Sequence, residues 1–216
     1  MLYLHLFEEM GKAEALIDKT NKEHLIIEAA QQRFGLYGVE KTSMREIADD
    51  IRLSKASLYY YFPDKESLYK AVVEKEQAEF IGKISERFTS ISEPELLLRE
   101  YSVIRLSYFR TLLNLSRLRL ESYSNLKPVF RETIQSFMEK EKAIILRIFD
   151  NGISKGIFSI KNTEKTASLF LDLLKGLRIS VVNDKKTLII DEEEFEKLLE
   201  NTILFTDIFI NGLKIK

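Results

Sequence analysis

The chain has 216 residues, a formal net charge of -1, no Cys and no Trp, so it can bury one or two sizeable cores but can form neither a disulfide nor a thiol site. Charge near zero gives no global case for nucleic acid, and basic and acidic residues also balance over residues 21–75. The most apolar long run, residues 96–120, is broken by Arg99, Glu100, Arg105, Arg110, Arg117 and Arg119, which excludes a bilayer span and predicts a cytoplasmic protein.

Eight Gly, three Pro and long runs of Leu, Ile, Glu and Lys predict an all-α fold. Residues 1–20, MLYLHLFEEMGKAEALIDKT, form an N-terminal extension, read either as an extra amphipathic helix packing on its own protein or as a small docking arm. Thr20 or Asn21 caps the next helix, which runs to about Tyr37 with Ile26, Ala29, Ala30 and Phe34 at helical spacing. Gly35 and Gly38 close it. His24 stands alone on this scaffold helix, so no metal site is expected there.

Residues 42–68, TSMREIADDIRLSKASLYYYFPDKESL, carry a helix boundary every few positions. Ser43 and Glu46 have capping-box spacing, and Met44, Ile47, Ala48 and Ile51 follow at i, i+3, i+4 and i+7. Ser54 caps a second, very short helix with Leu58 and Phe62 turned inward; Pro63 stops it, and Asp64 caps a third. Two helices of about two turns joined by a tight turn make a helix-turn-helix, whose second helix enters a DNA major groove. Lys55, Ala56, Ser57, Tyr60 and Tyr61 are left facing outward, and cationic and hydroxyl groups there suit phosphates and base edges.

This segment resembles the DNA-binding region of the tetracycline-repressor (TetR) family over residues 22–70, most specifically in the block from Leu58 to Leu68. The turn position usually held by Gly is Arg52, and the Gly common after Ser-Lys is Ala56. A left-handed Arg52 would cost on the order of 1 kcal/mol. The resemblance implies that Arg45, Ser54, Lys55, Ala56, Ser57, Tyr59, Tyr60, Tyr61 and Lys65 occupy positions that touch DNA. Lys55 and Arg45 have the chemistry for guanine edges, whereas Ser57, Tyr59, Tyr60 and Lys65 suit phosphates; Tyr59 is read equally well as packing beside Leu58. The domains expected are 1–20 extension, 21–68 helix-turn-helix, and 69–216 ligand-binding and dimerisation.

From Asp64 a helix continues toward Phe88 and joins the two domains, so that a swing of it would change the separation of two recognition helices in a dimer. Pro94 sits in the first turn of the next helix, whose run Leu96–Leu115 is apolar on most sides. Arg99, Arg110 and Arg117 lie near one line on it, read as a solvated basic edge paired with acids in preference to the lining of an anion site. A short helix is expected over Ser116–Ser124, then a long one from Pro128 through Ile148 ended by Gly152 and Gly156. Asn162-Thr163 starts another that reaches about Val182, residues 183–186 form a polar turn, and Asp191 caps a final helix, Glu192–Leu213. That helix carries one apolar face through Phe195, Leu198, Leu199, Thr202, Phe205 and Phe209, and a second through Leu204 and Ile208. The second face needs a partner, and the resemblance implies a homodimer through the C-terminal helices.

The function expected is a ligand-responsive, sequence-specific transcriptional regulator, of the repressor type, acting as a homodimer on an inverted repeat in double-stranded DNA. Its effector would be a bulky hydrophobic or amphipathic molecule held among Tyr101, Arg105, Tyr108, Phe109, Tyr123, Phe130, Phe137 and Phe170. No cofactor, metal or catalytic group is expected: the only histidines are His5 and His24, neither GxxxxGK nor HExxH occurs, and acidic pairs such as Asp49-Asp50 sit where helix ends explain them. The alternative is a helical adaptor that binds protein through the same aromatic surface.

Overall fold

The computed structural model describes residues 2–112, 114, 128–182 and 191–215. Among them are eight helices: α1 (Leu2–Tyr37), α2 (Met44–Asp50), α3 (Lys55–Tyr61), α4 (Lys65–Ser90), α5 (Pro94–Thr111), α6 (Pro128–Ser154), α7 (Thr163–Val182) and α8 (Glu192–Leu213). There is no strand among the described residues, only an isolated antiparallel bridge between Phe158 and Lys214. The expected helix over Ser116–Ser124, with Arg117 and Tyr123, lies outside the described residues, as does the 183–186 turn.

The chain divides into two compact units, Met1–Glu74 and Lys75–Lys216, and α4 contributes to both. In the first unit Ile26, Ala30 and Phe34 of α1 are buried with Met44, Ile47 and Ala48 of α2 and Leu58 of α3. Phe62, Leu68, Tyr69, Val72 and Val73 complete this core, and the Phe34 ring meets Tyr69 edge-on at 5.3 Å. Each such side chain contributes about 1.5–3 kcal/mol relative to exposure, which is what allows two seven-residue helices to persist.

One boundary differs from expectation. The extension is not a separate element, because α1 runs without a break from Leu2. Residues 1–20 hold Leu, Ala, Glu, Lys and Met in good supply and no Pro, and an interior Thr20 or Asn21 costs only about 0.5 kcal/mol of propensity, so nothing local forces a stop. The helix ends at Gly38, whose φ of 85° is a left-handed terminus and whose amide donates to the Phe34 carbonyl at 2.9 Å.

In the second unit α5 is the central element, as its apolar faces predict. Leu97, Leu98, Tyr101, Ile104, Leu106 and Phe109 are all buried. It packs on α8 through a cluster of Leu106 with Phe195 and Leu198, and through Thr206, whose hydroxyl donates to Ser102 Oγ at 3.0 Å. Arg99 forks onto Asp207 and Arg110 onto Glu192, so these two arginines are paired with α8 acids, as expected of an edge in contact with carboxylates. Asp191 caps α8 in a full capping box with Glu194.

The end of α6 is shaped by two glycines with different jobs. Gly156, at φ 68°, follows the last turn, whereas Gly152 lies inside the helix, where an added Cβ would stand 2.1 Å from the Phe158 ring. That ring is fully buried against Phe149, and its segment pairs with the chain end, with the Ser159 amide donating to Leu213 O and the Ile215 amide to Ile157 O.

Candidate nucleic-acid interface

Every boundary in the helix-turn-helix is built by a side chain close in sequence. Ser43 Oγ accepts from the Glu46 amide at 3.3 Å, and Glu46 Oε2 accepts from the Ser43 amide at 2.8 Å. The backbone hydrogen bond from Ser43, and then that from its hydroxyl, holds the Glu46 carboxyl below the usual carboxylate range. The turn between α2 and α3 is left-handed at Arg52, with φ 55°, the single non-glycine residue with positive φ among those described. Its amide donates to Asp49 O at 3.2 Å, and the Leu53 amide to Ala48 O at 2.9 Å. Ser54 then caps α3 by accepting from the Ser57 amide at 3.0 Å, and Asp64 caps α4 by accepting from the Ser67 amide at 2.7 Å. That bond lowers the Asp64 carboxyl.

On α3, Leu58 and Phe62 face the core, and Lys55, Ala56, Tyr59 and Tyr60 face solvent. Tyr60 is 73% exposed, whereas Tyr61 is only half-buried and meets Tyr60 edge-on at 5.3 Å. Tyr59 is 40% exposed with the Lys55 ammonium 5.6 Å above its ring, so it reaches the outer face while the rest of its surface is covered. Ser57 is half-buried, its hydroxyl 2.8 Å from Ser54 Oγ. Arg45 on α2 is open to solvent, within 3.7 Å of Asp49. Exposed aromatic, hydroxyl and cationic groups therefore share one short helix whose inner side is fixed.

Lys65 is in a different situation. Its ammonium donates to Val39 O at 2.7 Å and Thr42 O at 3.1 Å, so two of its three donors tie down the loop between α1 and α2. Two residues the sequence did not single out also shape the site. Thr42 is buried and donates to Gly38 O, and Arg33 on α1 forks onto Asp50 of α2. An arginine one residue from the buried Phe34 on the same helix is the sequence signal that points to it.

The residues expected to hold an effector fall into two groups. Tyr101, Arg105, Phe109 and Phe137 are buried beside Phe80, whose ring lies 6.2, 6.5 and 5.6 Å from those of Tyr101, Phe109 and Phe137, with half-buried Tyr108 at 5.9 Å. Tyr101 Oη and Arg105 Nε both donate to Glu141 Oε1, at 2.8 and 2.9 Å. Arg105 and Arg178 lie 4.8 and 4.6 Å from the Phe109 ring centre. Phe170 is elsewhere, against Phe205 and Phe209, and Phe130 is buried. A cleft of about 260 Å³ between α6 and α7 is lined by Gln135, Met138, Leu171 and Asp172 and reaches Glu141.

The family model described as bacterial regulatory proteins, tetR family, matches residues 26–72. The uncharacterized HTH-type transcriptional regulator YuxN of Bacillus subtilis is 49% identical over 47 residues, 22% of this chain and 16% of that protein. The HTH-type transcriptional regulator RutR of Escherichia coli is 32% identical over 97 residues, 45% of each. The matched segments thus span less than half the length of these curated relatives. A solved structure of a transcriptional regulator from Cytophaga hutchinsonii is similar over 90% of this chain and 99% of that one, with 40% identity and a TM-score of 0.78.

Proposed function

The chain belongs to the tetR family of bacterial regulatory proteins, and from that premise we propose that it is a DNA-binding transcriptional regulator that acts as a homodimeric repressor on an inverted repeat. The observation that carries this reading is the outer face of α3, where Lys55, Tyr59 and Tyr60 stand exposed on a helix capped at Ser54 and anchored by Leu58 and Phe62. Such a helix fits the major groove. Lys55 and Arg45 read base edges; Ser57, Tyr59 and Tyr60 hold phosphates; Ala56 allows close approach; and Tyr61 braces Tyr60. Lys65 acts chiefly by fixing the loop before α2, with one donor left for a phosphate.

Dimerisation is supported by Leu169 and Leu173 on α7 and Leu204 and Ile208 on α8, all exposed and between 42% and 63% accessible. These four side chains form apolar faces for a two-fold, four-helix contact. Regulation by a small molecule is supported by the cleft between α6 and α7 that reaches Glu141, where the buried Tyr101–Arg105–Glu141 network would orient the polar end of an amphipathic effector whose body lies against Met138 and Leu171. No described helix is long and apolar enough to cross a membrane, consistent with action on DNA in the cytoplasm.

The test is selection from random double-stranded DNA by the purified protein at low and moderate salt. Enrichment of an inverted repeat with half-sites about 10 base pairs apart or a multiple of it is the expected result. An absence of enrichment at both salts, with tight capture of another protein that depends on Tyr60, would favour the adaptor.

A further inference from the structure

Seven residues are too few to hold α2 as a helix on local terms, and its buried Met44, Ile47 and Ala48 fix which face turns to the core while leaving its tilt to other contacts. A directional contact supplies what apolar burial lacks. From α1, Arg33 places Nη2 2.9 Å from Asp50 Oδ1 and Nε on Asp50 Oδ2, while Nη1 stands 3.4 Å from Glu46 Oε1. Glu46 is the capping partner of Ser43 in the first turn, and Asp50 is the last residue of α2, so one guanidinium grips both ends of the helix. The Tyr37 ring lies 5.9 Å from the same guanidinium, whose side chain is one-quarter exposed. The fork from Arg33 lowers the Asp50 carboxyl, and the reciprocal bond from Asp50 raises the guanidinium.

Asp50 stands two residues before the left-handed Arg52, and α3 begins three residues after that. The direction in which α3 leaves the turn is therefore inherited from the end of α2 that Arg33 holds. A bidentate arginine–carboxylate pair fixes angle as well as distance, which lysine cannot do. We propose that Arg33 is a positioning residue for DNA reading: through its grip on Glu46 and Asp50 it sets the angle at which α3 meets the groove, without touching DNA itself. The proposal rests on the DNA-binding reading above.

The experiment compares the full-length protein with Arg33→Lys, Asp50→Asn and the double variant, using the selected operator and a scrambled duplex. Arg33→Lys keeps the charge and so changes neither the neutralisation of α2 nor the attraction of phosphates. The expected result is a loss of about tenfold in operator affinity for each single variant and no further loss in the double, because the two act through one contact. In the charge-conserving Arg33→Lys, affinity for the scrambled duplex and the salt slope stay at wild-type values. Equal losses on both duplexes, or an operator-to-scrambled ratio unchanged after correction for folded fraction, would reduce Arg33 to a stabilising residue and overturn the proposal. A flattened salt slope in Arg33→Lys would make it a phosphate contact, which also overturns it. Wild-type protein that selects no sequence would remove the DNA reading and this proposal together, an outcome distinct from a wild type that selects and an Arg33→Lys that selects equally well.

Discussion

Arg52 stands in a left-handed conformation that an L side chain adopts at a cost of about 1–2 kcal/mol, while glycine there loses about 0.5–1 kcal/mol in chain entropy. Arg52→Gly is therefore expected to be neutral to stabilising by about 1 kcal/mol, and Arg52→Ile to destabilise by at least about 1 kcal/mol, both read from urea unfolding midpoints. The conformation was foreseeable because the turn is local: a glycine-like position filled by another residue leaves only strain or a different turn. Lys65 shows the opposite case. Its carbonyl partners at Val39 and Thr42 lie 26 and 23 residues earlier, and no pattern near Lys65 identifies them. Replacing Lys55 with Ala is expected to relax base preference, whereas Lys65→Ala should lower the stability of the first unit by about 1–3 kcal/mol, and competition between operator variants alongside unfolding curves separates the two.

At the scale of elements, the caps were legible because each is encoded within four residues: Ser43 with Glu46, Ser54 with Ser57, Asp64 with Ser67 and Asp191 with Glu194. The start of α1 was not, since a helix that continues needs no signal and a possible cap at Thr20 need not be used. Three of the head's carboxylates, Glu46, Asp50 and Asp64, have folded values below the unfolded ones, so their stabilisation is complete above about pH 4–5 and is lost as pH falls through and below that range. Unfolding of the first unit followed from pH 7 to pH 2 should show a falling acid limb, and Asp50→Asn should make that limb shallower. The α6 terminus makes a steric prediction: Gly152→Ala forces a methyl into the Phe158 ring and should destabilise the second unit by about 1–3 kcal/mol or more, whereas an alanine at Gly176, where nothing lies within 4 Å, should not.

At the scale of the whole molecule, the chain divides between Glu74 and Lys75, inside α4 and six residues beyond the boundary the motif suggests, and the fate of individual aromatic residues was not legible at all. Tyr101 and Phe170 read alike in sequence, yet one joins a hydrogen-bonded network with Glu141 and the other stacks on Phe205 and Phe209, because partners 35 and more residues away decide. Removing Glu141 by Glu141→Leu would leave Arg105 buried without its carboxylate and is expected to cost about 3–5 kcal/mol, with part of that recovered in the double variant Glu141→Leu/Arg105→Met. Leu204→Glu with Ile208→Glu should convert the proposed dimer to monomer in sedimentation while leaving the helix content unchanged. The packing of α5 on α8 joins Ser102 to Thr206 and Arg99 to Asp207 across 104 and 108 residues. During synthesis α5 leaves the ribosome long before its partner exists, whereas the head, whose Arg33–Asp50 tie spans 17 residues, is made of the first 74. A nascent chain stalled before α8 would carry a finished head on a second unit with Leu106 still waiting for the Phe195 and Leu198 side chains that bury it, an apolar surface open to wrong partners for as long as the last helix is unmade.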